Sequence, residues 1–171
     1  MFSSLCSTLE KIVSSKSKND KLATWLHFYK ENSIRPDFNA YELIRLVLPR
    51  FDKARSSYGL KENALARKYI DSLCLAKGSN EAQRLIKYKT VKGTKDFPEC
   101  LFHILKQRCQ GSTDFALEDI NRLLDGIQGG SEKHNEQVNN LVDTIVRDMP
   151  PLHQKWLCRL ILKELHLGIS G

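Results

Sequence analysis

The chain has 171 residues, 27 basic against 20 acidic side chains for a net charge of +7, and 41% hydrophobic residues. That length suits one domain, and the apolar content is enough for a folded core, which excludes an intrinsically disordered chain. Five prolines and nine glycines are too few for a turn-dense β-sandwich; no apolar run nears the roughly 20 residues of a membrane-spanning helix; and MFSSLCSTLEKIVSS lacks the basic and apolar regions of a secretory signal.

Leu5, Leu9, Ile12 and Val13 recur at helical spacing and predict a first amphipathic helix. SSKSKNDK breaks it, and Asn19 or Asp20 is the expected cap of a second helix through Leu22, Trp25, Leu26 and Phe28. After the turn at Arg35-Pro36-Asp37, a third helix runs through Tyr41, Leu43, Ile44, Leu46, Val47 and Leu48. Pro49 interrupts it, and a short helix resumes over 51–57. Tyr58-Gly59-Leu60 reads as a helix stop, with Gly59 in a left-handed C-cap. Lys61 begins a helix through Leu65, Tyr69, Ile70 and Leu73, and Ser79 caps the one holding Ala82, Leu85 and Ile86. YKTVKGTKD (88–96) reads as a loop or one short ribbon.

A helix over about 97–108 follows. Thr113 or Asp114 is the expected cap of the next, which carries Phe115, Leu117, Ile120, Leu123, Leu124 and Ile127 and ends at Gly129-Gly130. Val138, Leu141, Ile145 and Val146 mark another helix. Beyond Pro150-Pro151 a last one holds Trp156, Leu157, Leu160, Ile161 and Leu165, with Leu167-Gly168-Ile169 as a second stop of the form apolar–Gly–apolar. About nine helices or more and no convincing strand pair predict an all-α bundle.

Residues 1–111 carry a net of +10 and residues 112–171 a net of −3. A polyanion is therefore expected to meet mainly the earlier part. The five cysteines form no CxxC half-site and the five histidines no HxxxH pair, so no metal site is expected and reduced, mostly buried thiols are. There is no GxxxxGK[ST] loop, GxGxxG turn, HExxH or GxSxG elbow. No catalytic residue is assigned.

Basic residues do gather at the breaks between helices: Lys16, Lys18 and Lys21 at one, Gly59 and Lys61 at another, and Lys87, Lys89, Lys92 and Lys95 around Gly93. Glycine turns and helix starts offer backbone N–H groups to a phosphate, and lysines add charge without reading base identity. The plainer account is that such lysines keep loops soluble.

Three stretches carry a resemblance: LCSTLEKIVSSKSKNDK (5–21), RLVLPRFDKARSSYGLKENALARKYID (45–71) and HQKWLCRLILKELHLGIS (153–170). They resemble the N-terminal region of eukaryotic ATP-dependent DNA ligases, the first stretch pointing to the type IV branch, the ligases of non-homologous end joining. The resemblance runs along essentially the whole chain. It implies one helical DNA-binding domain over 1–171, built as two pseudo-symmetric halves that grip duplex DNA around a nick without reading sequence.

The family's nucleotidyltransferase domain, whose KxDG lysine takes AMP from ATP with magnesium, is expected to begin about where this chain stops at Gly171. The chain contains no KxDG. Carried over by motif, the DNA-contact candidates are Lys16, Lys18, Lys21, Gly59, Leu60, Lys61, Lys92, Gly93, Gly168, Ile169 and Ser170. The central loop reads GTKDFPE where relatives carry an acidic–x–Gly turn, so Thr94 and Lys95 are left out.

Partners implied are double-stranded DNA and, through C-terminal repeats outside this chain, an end-joining scaffold protein. Some relatives also dock a peptide of the nuclease Artemis on their first helices. Leu22, Trp25, Leu26 and Phe28 are the matching face and support an alternative reading as a helical protein-interaction module. A core stripe shows the same spacing. The implied setting is the nucleus, with no membrane contact, and the fragment is expected to be a monomer.

Overall fold

In the computed structural model, residues 1–55, 57–129 and 132–168 are described, and among them the chain is all-helical, with nine α-helices and no strand. They are α1 (Phe2–Ser14), α2 (Lys18–Ser33), α3 (Ala40–Val47), α4 (Glu62–Ser72), α5 (Asn80–Ile86), α6 (Phe97–Leu105), α7 (Leu117–Asp125), α8 (His134–Asp148) and α9 (Pro151–Leu162).

The last helix is the centre. Pro151 suits its first turn, where a missing N–H costs nothing. From His153 to Ile161 every residue of α9 is buried, so it lacks the solvated face of an ordinary surface helix. α1 and α6 pack on it, α2 packs on α1, α4 on α8 and α5, and α3 on α7.

Burying α9 all round requires its cations to be paired, since an unpaired interior charge is costly. Lys155 reaches Glu10 of α1 at 2.7 Å and Glu99 of α6 at 2.8 Å. Arg159 reaches Asp96 at 2.7 Å, and Trp156 donates its indole N–H to Glu10. The sequence signal is two cations four residues apart in a largely apolar helix that contains no acid.

Several helix boundaries differ from expectation, each for a local reason. Ser17 caps α2, accepting from the Asp20 N–H, so Asn19 and Asp20 lie inside its first turn. Past Pro49 only a 3₁₀ turn forms (Lys53–Arg55), because Arg55 is drawn inward to Asp52 and Asn121. α6 stops at Leu105, and Arg108 turns to Glu81 of α5.

Asp114 does not cap α7. It accepts from the Ser3 N–H at 2.8 Å and the Met1 amine at 2.7 Å, while the Phe115 carbonyl takes the Phe2 N–H. The orphan donors of α1 are thus met from across the fold. α7 begins later, at Leu117, where Asp119 accepts from the Ala116 N–H, and it ends at Gly126. Gly130 lies outside the described residues. Ser79 does cap α5, and four of the five free cysteines are buried, Cys74 being exposed.

Neither apolar–Gly–apolar turn ends a helix. Gly59 has the expected left-handed backbone, φ +63°, but lies in the loop entering α4. α9 is closed by Lys163 at φ +57°, and Gly168, φ +62°, lies further along the tail.

Candidate nucleic-acid interface

The tail beyond α9 joins segments far apart in sequence. At its start the Lys163 ammonium donates to the carbonyls of Pro49 (3.3 Å) and Arg55 and lies over the Tyr58 ring. Loss of hydration there lowers its pKa. At its far end the Lys21 ammonium donates to the Leu167 carbonyl at 2.8 Å. The tail is therefore pinned to the loop before Gly59 at one end and to the start of α2 at the other.

The Gly59 turn is built on its neighbours. Tyr58 is buried, and its carbonyl is held by His134 Nε2 at 2.7 Å. The Gly59 N–H donates to Ser57 Oγ, and the Gly129 N–H donates to the Ser57 carbonyl. Leu60 is half-buried and packs on the core, so it anchors the turn rather than standing free. Lys61 is exposed at the N-cap of α4, and its side chain caps nothing.

Between α4 and the tail lies a cleft of about 230 Å³ whose lining includes Glu62, Tyr88, Lys89, Lys95, Asp96, Arg159 and His166. The stretch expected to be a loop or one short ribbon is a 3₁₀ turn (Tyr88–Thr90) running into a loop at Gly93, φ +83°, with nothing within 4 Å of where a Cβ would stand. Lys92 and Gly93 are exposed. The cleft brings Lys89 and Lys95 beside the start of α4. The lysine-rich run 87–95 was the signal for both.

Lys16 and Lys18 are exposed and Lys21 is half-buried, bound to the tail. Among the described residues Lys16, Lys61, Lys92 and Lys95 make no ion pair. Ile169 and Ser170 lie outside the described residues. Charge along the chain does not map simply onto surface. Acidic Glu10, Asp96 and Glu99 of the earlier part are paired by Lys155 and Arg159, and Asp125 of the later part pairs with Arg45.

The proposed peptide face divides. Phe28 is 3% exposed and stacks on half-buried Trp25 with ring centroids 5.5 Å apart, which makes both part of the packing. Leu22 and Leu26 remain exposed.

The family model described as DNA ligase N terminus matches residues 1–171. The chain belongs to that family. Human (Homo sapiens) DNA ligase 4 is 34% identical over 184 residues, covering 99% of this chain and 20% of the relative. DNA ligase 4 of Gallus gallus is 34% identical over 186 residues with the same coverage, and that of Cryptococcus neoformans is 36% identical over 172 residues, covering 96% and 16%. The chain thus spans a fifth or less of the length of these relatives.

This DNA ligase N-terminal chain gathers no group of three or more His, Cys, Asp or Glu fit for a metal among its described residues. Nor is any of its described helices long and apolar enough to cross a membrane.

Proposed function

We propose that this chain binds double-stranded DNA without sequence preference, around a nick or break, as the DNA-gripping part of an ATP-dependent ligase of non-homologous end joining in the nucleus. Adenylation, ATP, magnesium and an end-joining scaffold belong to the remainder of such a ligase. The observation that carries this reading is the family match over the whole chain.

The geometry supports a surface for it. Lys16, Lys18, Lys61 and Lys92 are exposed and carry positive charge that suits phosphate oxygens, while Gly59, Gly93 and Gly168 let the backbone approach closely at positive φ. Leu60 and Lys21 hold their turns in place. Such contacts carry charge and shape but no base code, which suits an enzyme that must act wherever a break falls.

The test is titration of a labelled nicked duplex and its intact counterpart at several salt concentrations. If about four to six phosphates are neutralised, log K falls against log salt with a slope of roughly −4 to −5. Absence of binding at low salt, or binding indifferent to salt, refutes the reading.

A second reading rests on exposed Leu22 and Leu26: a shallow docking site on α2 for a partner peptide such as that of an Artemis-type nuclease. Leu26→Glu would then abolish peptide binding and leave duplex affinity unchanged.

A further inference from the structure

α3 turns Leu43 and Leu46 into the core. Its opposite side is also apolar. Tyr41, Ile44 and Leu48 follow at spacings of three and four, one face of a helix, and are 64%, 52% and 46% exposed. Phe51 continues the run past the helix end, in a turn closed by its N–H on the Leu48 carbonyl at 2.9 Å, and is 78% exposed. Scattered apolar residues on a surface are ordinary; four large ones in eleven positions along one side mark an interaction surface.

The charge around this stripe is one-sided. Arg50 and Lys53 are exposed and make no ion pair among the described residues. The carboxylates around it are held already: Asp52 by Arg45 at 3.1 Å and Arg55 at 2.8 Å, Asp125 at the end of α7 by Arg45 at 2.7 Å, and Glu42 of α3 by the Asn121 amide at 2.6 Å. The stripe therefore has a cationic rim in Arg50 and Lys53, and the carboxylates beside it are engaged by groups of this chain.

We propose that this face docks an acidic amphipathic helix of a partner protein. The partner's apolar residues lie along Tyr41, Ile44 and Leu48, Phe51 closes over one end, and its carboxylates meet Arg50 and Lys53. The charge disfavours a second copy of this chain, because a two-fold contact would set Arg50 and Lys53 of one copy against those of the other. DNA fits less well, since four apolar side chains with no glycine turn offer a phosphate backbone little. The face is separate from the Leu22 and Leu26 patch on α2, and the proposal does not depend on DNA binding.

The test uses a labelled peptide of about four helical turns, with leucines at i, i+3 and i+7 and glutamates flanking them, titrated by fluorescence anisotropy into the 171-residue chain. Saturable binding is expected. It should weaken at least about tenfold in Ile44→Glu and in Phe51→Ser, lose part of its salt dependence in Arg50→Glu, and be unchanged in Leu22→Glu. Ile44 and Phe51 are exposed, so melting temperature should hold; Phe51→Ser, outside the helix, carries the test if Ile44→Glu fails to fold. The proposal is overturned if a scrambled peptide, its leucines off one face, binds equally well, or if Ile44→Glu and Phe51→Ser bind like the parent. It is also overturned if Phe51→Ser instead abolishes self-association in sedimentation or abolishes duplex binding, which would give the face to a second copy or to DNA.

Discussion

Lys21 and Leu167, 146 positions apart, are joined by one hydrogen bond: the ammonium of the first donates to the carbonyl of the second at 2.8 Å. A Cβ placed on Gly168 would stand 2.8 Å from the same nitrogen. The start of α2 and the tail beyond α9 therefore behave as one unit, with Lys21 as its strut.

That arrangement separates the roles of neighbouring lysines. Lys16 is exposed and makes no hydrogen bond or ion pair among the described residues, so Lys16→Ala should weaken duplex binding and lower the magnitude of the salt slope by about 0.9, with no change in the fold. Lys21→Met should weaken binding as well, and in addition speed amide exchange at Leu165 and Leu167, because it frees the tail. Exchange unchanged in Lys21→Met would remove the strut role and leave only a charge.

Glycine replacements should sort by backbone and by space. At Gly59 a Cβ meets only His134 Cε1 at 3.6 Å, so Gly59→Ala costs the left-handed backbone alone, roughly 1–2 kcal/mol. Gly93→Ala should cost a similar amount, in open space. Gly111→Ala should be the worst of the series, since its Cβ would lie 2.5–2.7 Å from the backbone of Asp148 and Met149, which cannot step aside. Gly78→Ala, with nothing within 4 Å, should be neutral or stabilising by up to about 1 kcal/mol. Chemical denaturation of the four variants checks the order.

Much of this was legible in the sequence, and the parts that were not share a cause. Periodicity reports which face of a helix is apolar, so the helices at Leu5–Ile12 and Leu65–Ile70 and the left-handed Gly59 could be read from local pattern. Contacts between distant positions leave no local pattern. Asp114 reads as the cap of the helix it precedes, and serves α1 instead, 111 residues away. Trp25 and Phe28 read equally as groove or core, and only the packing of α2 on α1 decides. The lysines at the breaks could be named from sequence, but that Lys21 is tied down while Lys16 is free could not.

Arg55 is 1% exposed and is held by Asp52 at 2.8 Å and by Asn121 Oδ1 at 2.6 Å, linking the loop before Gly59 to α7. Burial alone would raise the Asp52 carboxyl, but hydrogen bonds from Arg55 and Arg45 outweigh it and hold the group below its usual range. Arg55→Ala leaves Asp52 with one partner and strands the Asn121 carbonyl. It should cost about 3–5 kcal/mol in urea unfolding, a loss that a surface lysine variant would not show.

His153 should set the response to mild acid. Its ring is buried in α9 against Phe2, centroids 5.8 Å apart, and Nδ1 has no partner among the described residues. Desolvation lowers its pKa below 6.5, with Asp114 opposing only in part. A histidine with a depressed folded pKa binds fewer protons folded than unfolded, so stability is full above about pH 6.5 and falls as the pH drops through that value toward the folded one. The depressed carboxylates Asp52 and Asp114 act in the same direction but lower, stability being lost as pH falls below about 3.8. Stability should therefore decline in two stages on acidification. His153→Phe should flatten the stage that begins at about pH 6.5 and leave the one below about pH 3.8 in place. Urea midpoints measured at half-unit pH steps check this, and a His153→Phe curve parallel to the parent's across the upper stage would assign that stage to another group.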